Sequence, residues 1–401
     1  LCEKNGILYC CRNAIRYNPH MNDEKIVQTV APADAIDLGM GNPDFGLLPV
    51  DALQQASERA FAKEMRSSLQ YGTEQGNSYF RDSLADFLTQ SFGDTVNGSS
   101  LFVSNGASSG LDLLTSLHTR PGDTAIVEAP TYFLALRIFA DHGVRVLSVP
   151  MDDDGLSIDA LEEILAREQP KLLYTIPTFQ NPSGRTLSLA RREKLIELAE
   201  KHNFLIVADE VYHLLPYTAT PPKPFALFSD ESDKVASINS FSKILAPGLR
   251  LGWVQAHNNV LKKITSCGLI DSGGGLNPFT SAIVHELLET GELAKNISML
   301  RETYQARLNV MDAALKEMLP QAEYITPQGG FFYWVRLAGM DTTLLRKKAK
   351  NFKVDIRQGT LFSADKDAAM RTEEYMRLCF AFYEEDKIYE GVKRLAACIL
   401  D

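Results

Sequence analysis

Ser240-Phe241-Ser242-Lys243-Ile244-Leu245-Ala246-Pro247-Gly248-Leu249-Arg250-Leu251-Gly252-Trp253 sets a lysine behind two serines, follows it with a Pro-Gly turn, and brings an arginine into a new apolar run. Upstream, Lys234 to Ile238 reads as a short strand; downstream, Leu249 to Ala256 reads as another. Pro247-Gly248 excludes a continuous helix between them. Lys243 therefore sits on a connection between strands, where a rigid scaffold can hold a functional side chain. A lone lysine on such a connection is an ordinary solvated residue. With Ser240, Ser242 and Arg250 around it, it has the makings of a nucleophile beside a grip for a dianionic phosphate.

Working outward, strands and helices alternate: strand 124–128, helix 131–141, strand 144–149, helix 157–167, strand 171–176, helix 188–202 and strand 204–208. Continuous apolar strands such as Phe204-Leu205-Ile206-Val207-Ala208 predict an α/β fold, a three-layer sandwich around a mostly parallel central sheet. Ligands of such sheets lie at the carboxyl ends of the strands. Tyr132 follows one strand, Asn181 another (in Thr178-Phe179-Gln180-Asn181-Pro182-Ser183-Gly184), and Asp209 and Tyr212 close a third. Each is ordinary alone, since Asn-Pro and Ser-Gly form turns and an aspartate after a strand caps helices.

Further out, Ser104-Asn105-Gly106-Ala107-Ser108-Ser109-Gly110 reads as a loop between strand 101–103 and a helix at about 111–118. Such a loop aims backbone N–H groups and the positive end of a helix dipole at an anion. Helical periodicity covers about 51–65 and 79–92, with Tyr71 in the loop between; Gly41 lies in the turn Asp37-Leu38-Gly39-Met40-Gly41-Asn42-Pro43-Asp44-Phe45. Beyond about Asn258 the pattern becomes helical (258–266, 279–290, about 292–318), with Ser272-Gly273-Gly274-Gly275 read as a flexible loop. The tail, with short strands at 330–335 and 375–382 and a helix at 341–350, predicts a smaller α+β C-terminal domain. Arg377 stands inside an apolar strand, where a guanidinium needs an anionic partner.

Taken together and in this order, these segments resemble fold-type I pyridoxal-phosphate-dependent aminotransferases of class I/II, most of all the 2-aminoadipate aminotransferase-like branch. The resemblance runs from about Asp37 to the end of the chain. It implies pyridoxal 5'-phosphate held covalently by Lys243, with phosphate bound by Ser240, Ser242, Arg250 and the Gly106-Ala107-Ser108 segment. The family often carries glutamine where this chain has Ser108 and Ser109, so the resemblance here implies contacts from the backbone amides of Ala107 and Ser108. Tyr132 would stack on the pyridine ring, Asn181 and Tyr212 would bond its phenolic oxygen, and Asp209 would pair with its nitrogen. Catalysis would rest on Lys243, Asp209 and Tyr132. Arg377, assisted by Asn181 and Gly41, would clamp the substrate α-carboxylate, and Tyr71 would reach the phosphate of the neighbouring subunit in a homodimer. The implied reaction moves the amino group of an L-amino acid to a 2-oxo acid. The same scaffold also hosts carbon–sulfur lyases, decarboxylases and the sensing halves of transcription regulators.

Composition agrees with an ordinary globular protein: 401 residues, 45% apolar and 23% charged. We expect an N-terminal segment at 1–49 packed on the small domain, a large cofactor-binding domain at 50–290 and a small domain at 291–401. A net charge of −10 argues against nucleic acid or an anionic membrane as partner. No apolar run approaches the roughly 18 residues a spanning helix needs. The six cysteines show no Cys-x-x-Cys pair and the histidines no metal spacing, which suits reduced thiols and a cytoplasmic location. Tyr17, Phe331 and Phe332 suggest room for apolar or aromatic substrates, while Arg12 or Arg16 would admit a dicarboxylate.

Overall fold

Phe204-Leu205-Ile206-Val207-Ala208 is uniformly apolar because its alternate side chains enter two different cores. Leu205 and Val207 join one hydrophobic cluster; Ile206 and Ala208 join the other, on the opposite face of the sheet. The computed structural model describes residues 34–63 and 65–401. Arg12, Arg16 and Tyr17 lie outside the described residues.

The strands are β1 (Ile36–Asp37), β2 (Leu101–Ser104), β3 (Thr124–Ala129), β4 (Arg145–Asp152), β5 (Gly155–Leu156), β6 (Leu172–Thr175), β7 (Leu205–Asp209), β8 (Val235–Ser240), β9 (Gly252–Ala256), β10 (Phe332–Arg336), β11 (Val354–Asp355), β12 (Arg357–Gln358) and β13 (Tyr375–Cys379). Eight of them form the central sheet, in the order β2-β9-β8-β7-β6-β3-β4-β5. The neighbours from β8 through β4 are parallel, while β9 is antiparallel to both β8 and β2. The carboxyl ends of β2, β8, β7, β6 and β3 therefore meet at one edge, and the amino end of β9 comes to the same edge. This topology gathers Gly106, Lys243, Asp209, Asn181, Tyr132 and Arg250 on a single rim.

Most expected elements stand within a residue or two of their places, as for the helices Ser78–Phe92, Leu189–His202 and Glu292–Met318, while the helix Val50–Ala62 stops three residues before its expected end at about 65. Four readings are corrected. The helix expected from about 111 begins at Ala107, so the Ala-Ser-Ser-Gly run is its first turn rather than a loop. Gly106 makes the turn with φ 92°, and a Cβ on Gly110 would stand 3.2 Å from Val254 Cγ2, so glycine lets this helix sit close on the sheet. The strand expected from Leu249 starts at Gly252, because Pro247–Leu249 is a 3-10 turn and Arg250 is left-handed (φ 46°). Ser272 and Gly273 belong to the short helix Gly268–Gly273, and the following glycines pack against the Tyr71 loop through a Gly72–Gly275 bridge. The strand at 375–382 ends at Cys379.

In the C-terminal part, β10, β13 and β12 form an antiparallel sheet, and β1 pairs in parallel with β11. The final helix, Glu385–Leu400, was not singled out by periodicity; its face Ile388, Val392 and Leu395 is fully buried. It packs against the long helix Glu292–Met318. Arg307 on that long helix donates to Asp44 Oδ2 (2.7 Å) and to the Ala381 carbonyl (2.9 Å). Asn296, one turn from its start, donates to the Ile244 carbonyl at 2.8 Å, so the helix also anchors the Lys243 connection. No helix among the described residues is long and apolar enough to cross a membrane.

Candidate active site

Three chain segments converge where β2 and β8 end and β9 begins. Ser104 and Ser240 are both register partners of Gly252. A Cβ on Gly252 would fall 2.7 Å from Gly106 Cα and 2.3 Å from the Asn239 carbonyl, so no side chain fits there. A Cβ on Gly106 would stand 3.2 Å from Arg250 Nη2 and 3.6 Å from Ser240 Oγ. Ser240 Oγ donates to Ser242 Oγ (2.8 Å) and accepts from the Ser242 amide (3.1 Å). Among the described residues Arg250 donates to two carbonyls, those of Asn105 (3.2 Å) and Pro247 (3.3 Å). The first helical bond, from the Gly110 amide to the Gly106 carbonyl, leaves the amides of Ala107 and Ser108 without intrahelical acceptors. One guanidinium, two hydroxyls and a helix N-terminus make a cradle for an anion with several oxygens.

Lys243 Nζ donates to the Gly41 carbonyl at 2.9 Å and lies 5.4 Å from the centre of the Phe331 ring. Its pKa is lowered to about 8, first by burial; Arg377 and Arg250 push the same way, while Cys379 and Asp209 oppose them. Asp209 Oδ2 accepts from the Tyr174 hydroxyl at 2.8 Å, but Oδ1 is buried with no hydrogen-bond partner among the described residues. Burial raises this carboxyl to about 6. Tyr132 is half-buried, and burial together with nearby Asp209 pushes its hydroxyl to about 12. Tyr212 is buried, its ring 5.4 Å from that of Phe331 and 5.9 Å from that of Phe332.

Arg377 is 4% exposed. Its Nη1 donates to Asn181 Oδ1 (2.9 Å), its Nη2 donates to the Gly39 carbonyl (2.6 Å), and its Nε is buried without a partner. The guanidinium lies 4.1 Å from the Phe332 ring centre and 5.1 Å from that of Phe362. Burial lowers its pKa to about 10, which leaves it charged at neutral pH. No carboxylate pairs with it among the described residues. Its neighbour across the β12–β13 ladder, Arg357, is by contrast neutralised by Asp37 at 2.8 Å. A Cβ on Gly41 would stand 3.3 Å from Arg377 Nη2, so bare backbone faces this cation. The expectation that Phe331 and Phe332 wall an open pocket is corrected. They are 0% and 2% exposed, and they pack beneath Lys243 and Arg377 as floor.

The model of the family described as aminotransferase class I and II matches residues 33–395. The chain belongs to that family. It is 35% identical to the aromatic-amino-acid aminotransferase 1 of Thermococcus litoralis over 94% of this chain and 90% of that one. The crystal structure of a multiple substrate aminotransferase from Thermococcus profundus superposes with a TM-score of 0.84 at 34% identity, covering 92% of each chain. The alpha-aminoadipate aminotransferase of Thermus thermophilus, solved in complex with N-(5'-phosphopyridoxyl)-L-leucine, gives a TM-score of 0.82 at 29% identity, again over 92% of each chain.

An aminotransferase of this family uses pyridoxal phosphate, and the residues present fit that group. A buried aspartate oxygen without a donor suits a pyridine N–H, the Gly106–Ser240–Arg250 cradle suits a phosphate, and a lysine of lowered pKa suits covalent attachment. Of the predicted residues, Tyr71 stands apart: it is 79% exposed. Glu128, Tyr174, Gln180 and Arg357 were missed. Glu128 carried a signal of the kind that drew attention to Arg377, an ionic residue inside an apolar strand. Tyr174 carried none, since a tyrosine in such a strand is ordinary core.

Proposed function

We propose that this aminotransferase moves the amino group of an aromatic, aliphatic or 2-aminoadipate-like L-amino acid to a 2-oxo acid such as 2-oxoglutarate. The observation that carries this reading is Arg377, a buried guanidinium held among the described residues only by neutral acceptors, beside Gly41, whose carbonyl accepts a hydrogen bond from Lys243 Nζ. Such a cation is matched to an α-carboxylate that arrives with the substrate. The printed names of the relatives, which span aromatic, multiple and alpha-aminoadipate substrates, support the donor class.

When bound, pyridoxal phosphate supplies the electron sink that makes the α-proton of an amino acid removable. The chain supplies the rest. Ser240, Ser242, Arg250 and the amides of Ala107 and Ser108 would hold the phosphate. Tyr132 would lie against the ring, Asn181 and Tyr212 would bond the phenolic oxygen, and Asp209 Oδ1 would accept from the ring N–H. Lys243 Nζ, neutral for part of the time near pH 7 because its pKa is about 8, takes and returns the α-proton as a general base and acid. With the holoenzyme and 2-oxoglutarate, the expected products are glutamate and the donor's 2-oxo acid in equal amounts. Release of ammonia with no glutamate from any common amino acid would replace this reading by a lyase.

The working unit in this proposal is a homodimer, with residues 50–290 as the cofactor domain and 291–401 as the small domain. The exposure of Tyr71 supports its reaching across to the partner's phosphate. Mixing the inactive Lys243→Ala and Tyr71→Phe proteins is then expected to restore tight cofactor binding and activity in hybrids that hold one complete site. Hybrids that form without any recovery would return Tyr71 to its own chain.

A further inference from the structure

Glu128 is the penultimate residue of β3 and 1% exposed, yet no cation pairs with it among the described residues. A carboxylate buried without a counter-ion is costly unless hydrogen bonds hold it, and burial raises this one to about 7. Its partners all belong to the next strand and the loop after it: Thr175 Oγ1, the Ile176 amide (3.1 Å) and Gln180 Nε2 (3.0 Å). Gln180 is itself fully buried and has every side-chain polar atom engaged. Its Nε2 also donates to the Pro130 carbonyl (2.7 Å), and its Oε1 accepts from the Ser183 amide (2.8 Å).

Tyr132 lies two residues beyond Pro130, and Asn181 adjoins Gln180. We propose that Glu128 and Gln180 form a buried brace that fixes the Tyr132 loop against the Asn181 loop, making both of them positioning residues for the cofactor ring and, through Asn181 and Arg377, for the substrate carboxylate. A second feature shows that this loop is held from outside. Phe179, 2% exposed, keeps a left-handed backbone (φ 49°), a conformation that persists in a bulky residue only where its surroundings over-determine it. Its ring lies where a Cβ on Gly329 would be, 2.3 Å away, so the loop is clamped on that side as well.

The inference rests on the proposed cofactor roles of Tyr132 and Asn181, and the test separates the two. Glu128→Gln, Gln180→Leu and their combination are compared with Asn181→Ala and Tyr132→Leu. The readouts are the Kd of pyridoxal phosphate for the cofactor-free protein, the amino-acid KM against kcat of the holoenzyme, and Tm. Each brace variant is expected to raise both Kd and KM by at least about tenfold, since Glu128→Gln weakens the charge-assisted bond to Gln180 and Gln180→Leu removes that bond together with those to the Pro130 carbonyl and from the Ser183 amide. The double variant is expected to cost no more than the worse single one, because the two side chains act through each other. If Gln180→Leu does not fold, Glu128→Gln alone decides. Brace variants with Kd and KM within about twofold of wild type, alongside impaired Asn181 and Tyr132 variants, overturn the brace. Unimpaired Asn181 and Tyr132 variants overturn the cofactor reading and the brace with it.

Discussion

Lys243→Ala is expected to lower kcat/KM by at least about 10⁴-fold, the upper end of what a positioned acid–base group contributes. The same change removes the covalent anchor, so borohydride will no longer fix pyridoxal phosphate to the chain. The anion cradle of Ser240, Arg250 and the helix at Ala107 is independent of the lysine, so non-covalent binding of the phosphate is expected to survive. The pH dependence of anchoring in the cofactor-free wild-type protein follows from the lowered pKa. Below about 8 the ammonium form dominates and is not a nucleophile; above it the free amine does, so capture speeds up through about pH 8 and then levels off. Retention of more than about one per cent of activity by Lys243→Ala would assign the proton transfer to another group.

Arg377→Lys is expected to lower kcat/KM by about 10²- to 10⁴-fold across amino donors, because two charge-assisted hydrogen bonds of about 1.5–3 kcal/mol each need the planar fork. A lysine keeps the charge but cannot serve Asn181, the Gly39 carbonyl and a carboxylate together. The contact of the planar guanidinium with the Phe332 and Phe362 rings is lost as well. Cofactor absorbance should be intact, since the nearest proposed ring contact that Arg377 touches is Asn181. An unchanged kcat/KM would remove Arg377 from substrate binding.

The two residues differ in how far their chemistry was legible beforehand. Lys243 sits in a local segment where serines, a Pro-Gly turn and Arg250 lie within one short stretch, and local order is what a linear pattern records. Arg377 showed only that it needed an anion. Its site exists because β13, the Asn181 loop and the Gly39–Gly41 turn meet in space. Phe331 and Phe332 misled for the same reason: an aromatic pair reads equally as pocket wall or as floor until packing decides.

The alternation of apolar strands and helices by itself determined the layered sheet, because side chains of a strand buried on both faces have no position for polar residues. It also determined that Tyr132, Asn181, Asp209 and Lys243 share one rim, since parallel strands carry their carboxyl ends to the same edge. Only the tertiary structure decided the rest. The antiparallel turn of β9 delivers Arg250 to that rim, Asp37 neutralises Arg357 and leaves Arg377 without a carboxylate among the described residues, and Gln180 donates to the buried Glu128. These depend on contacts between residues far apart in the chain, and which charges become paired on burial is settled only when the strands that carry them are brought side by side.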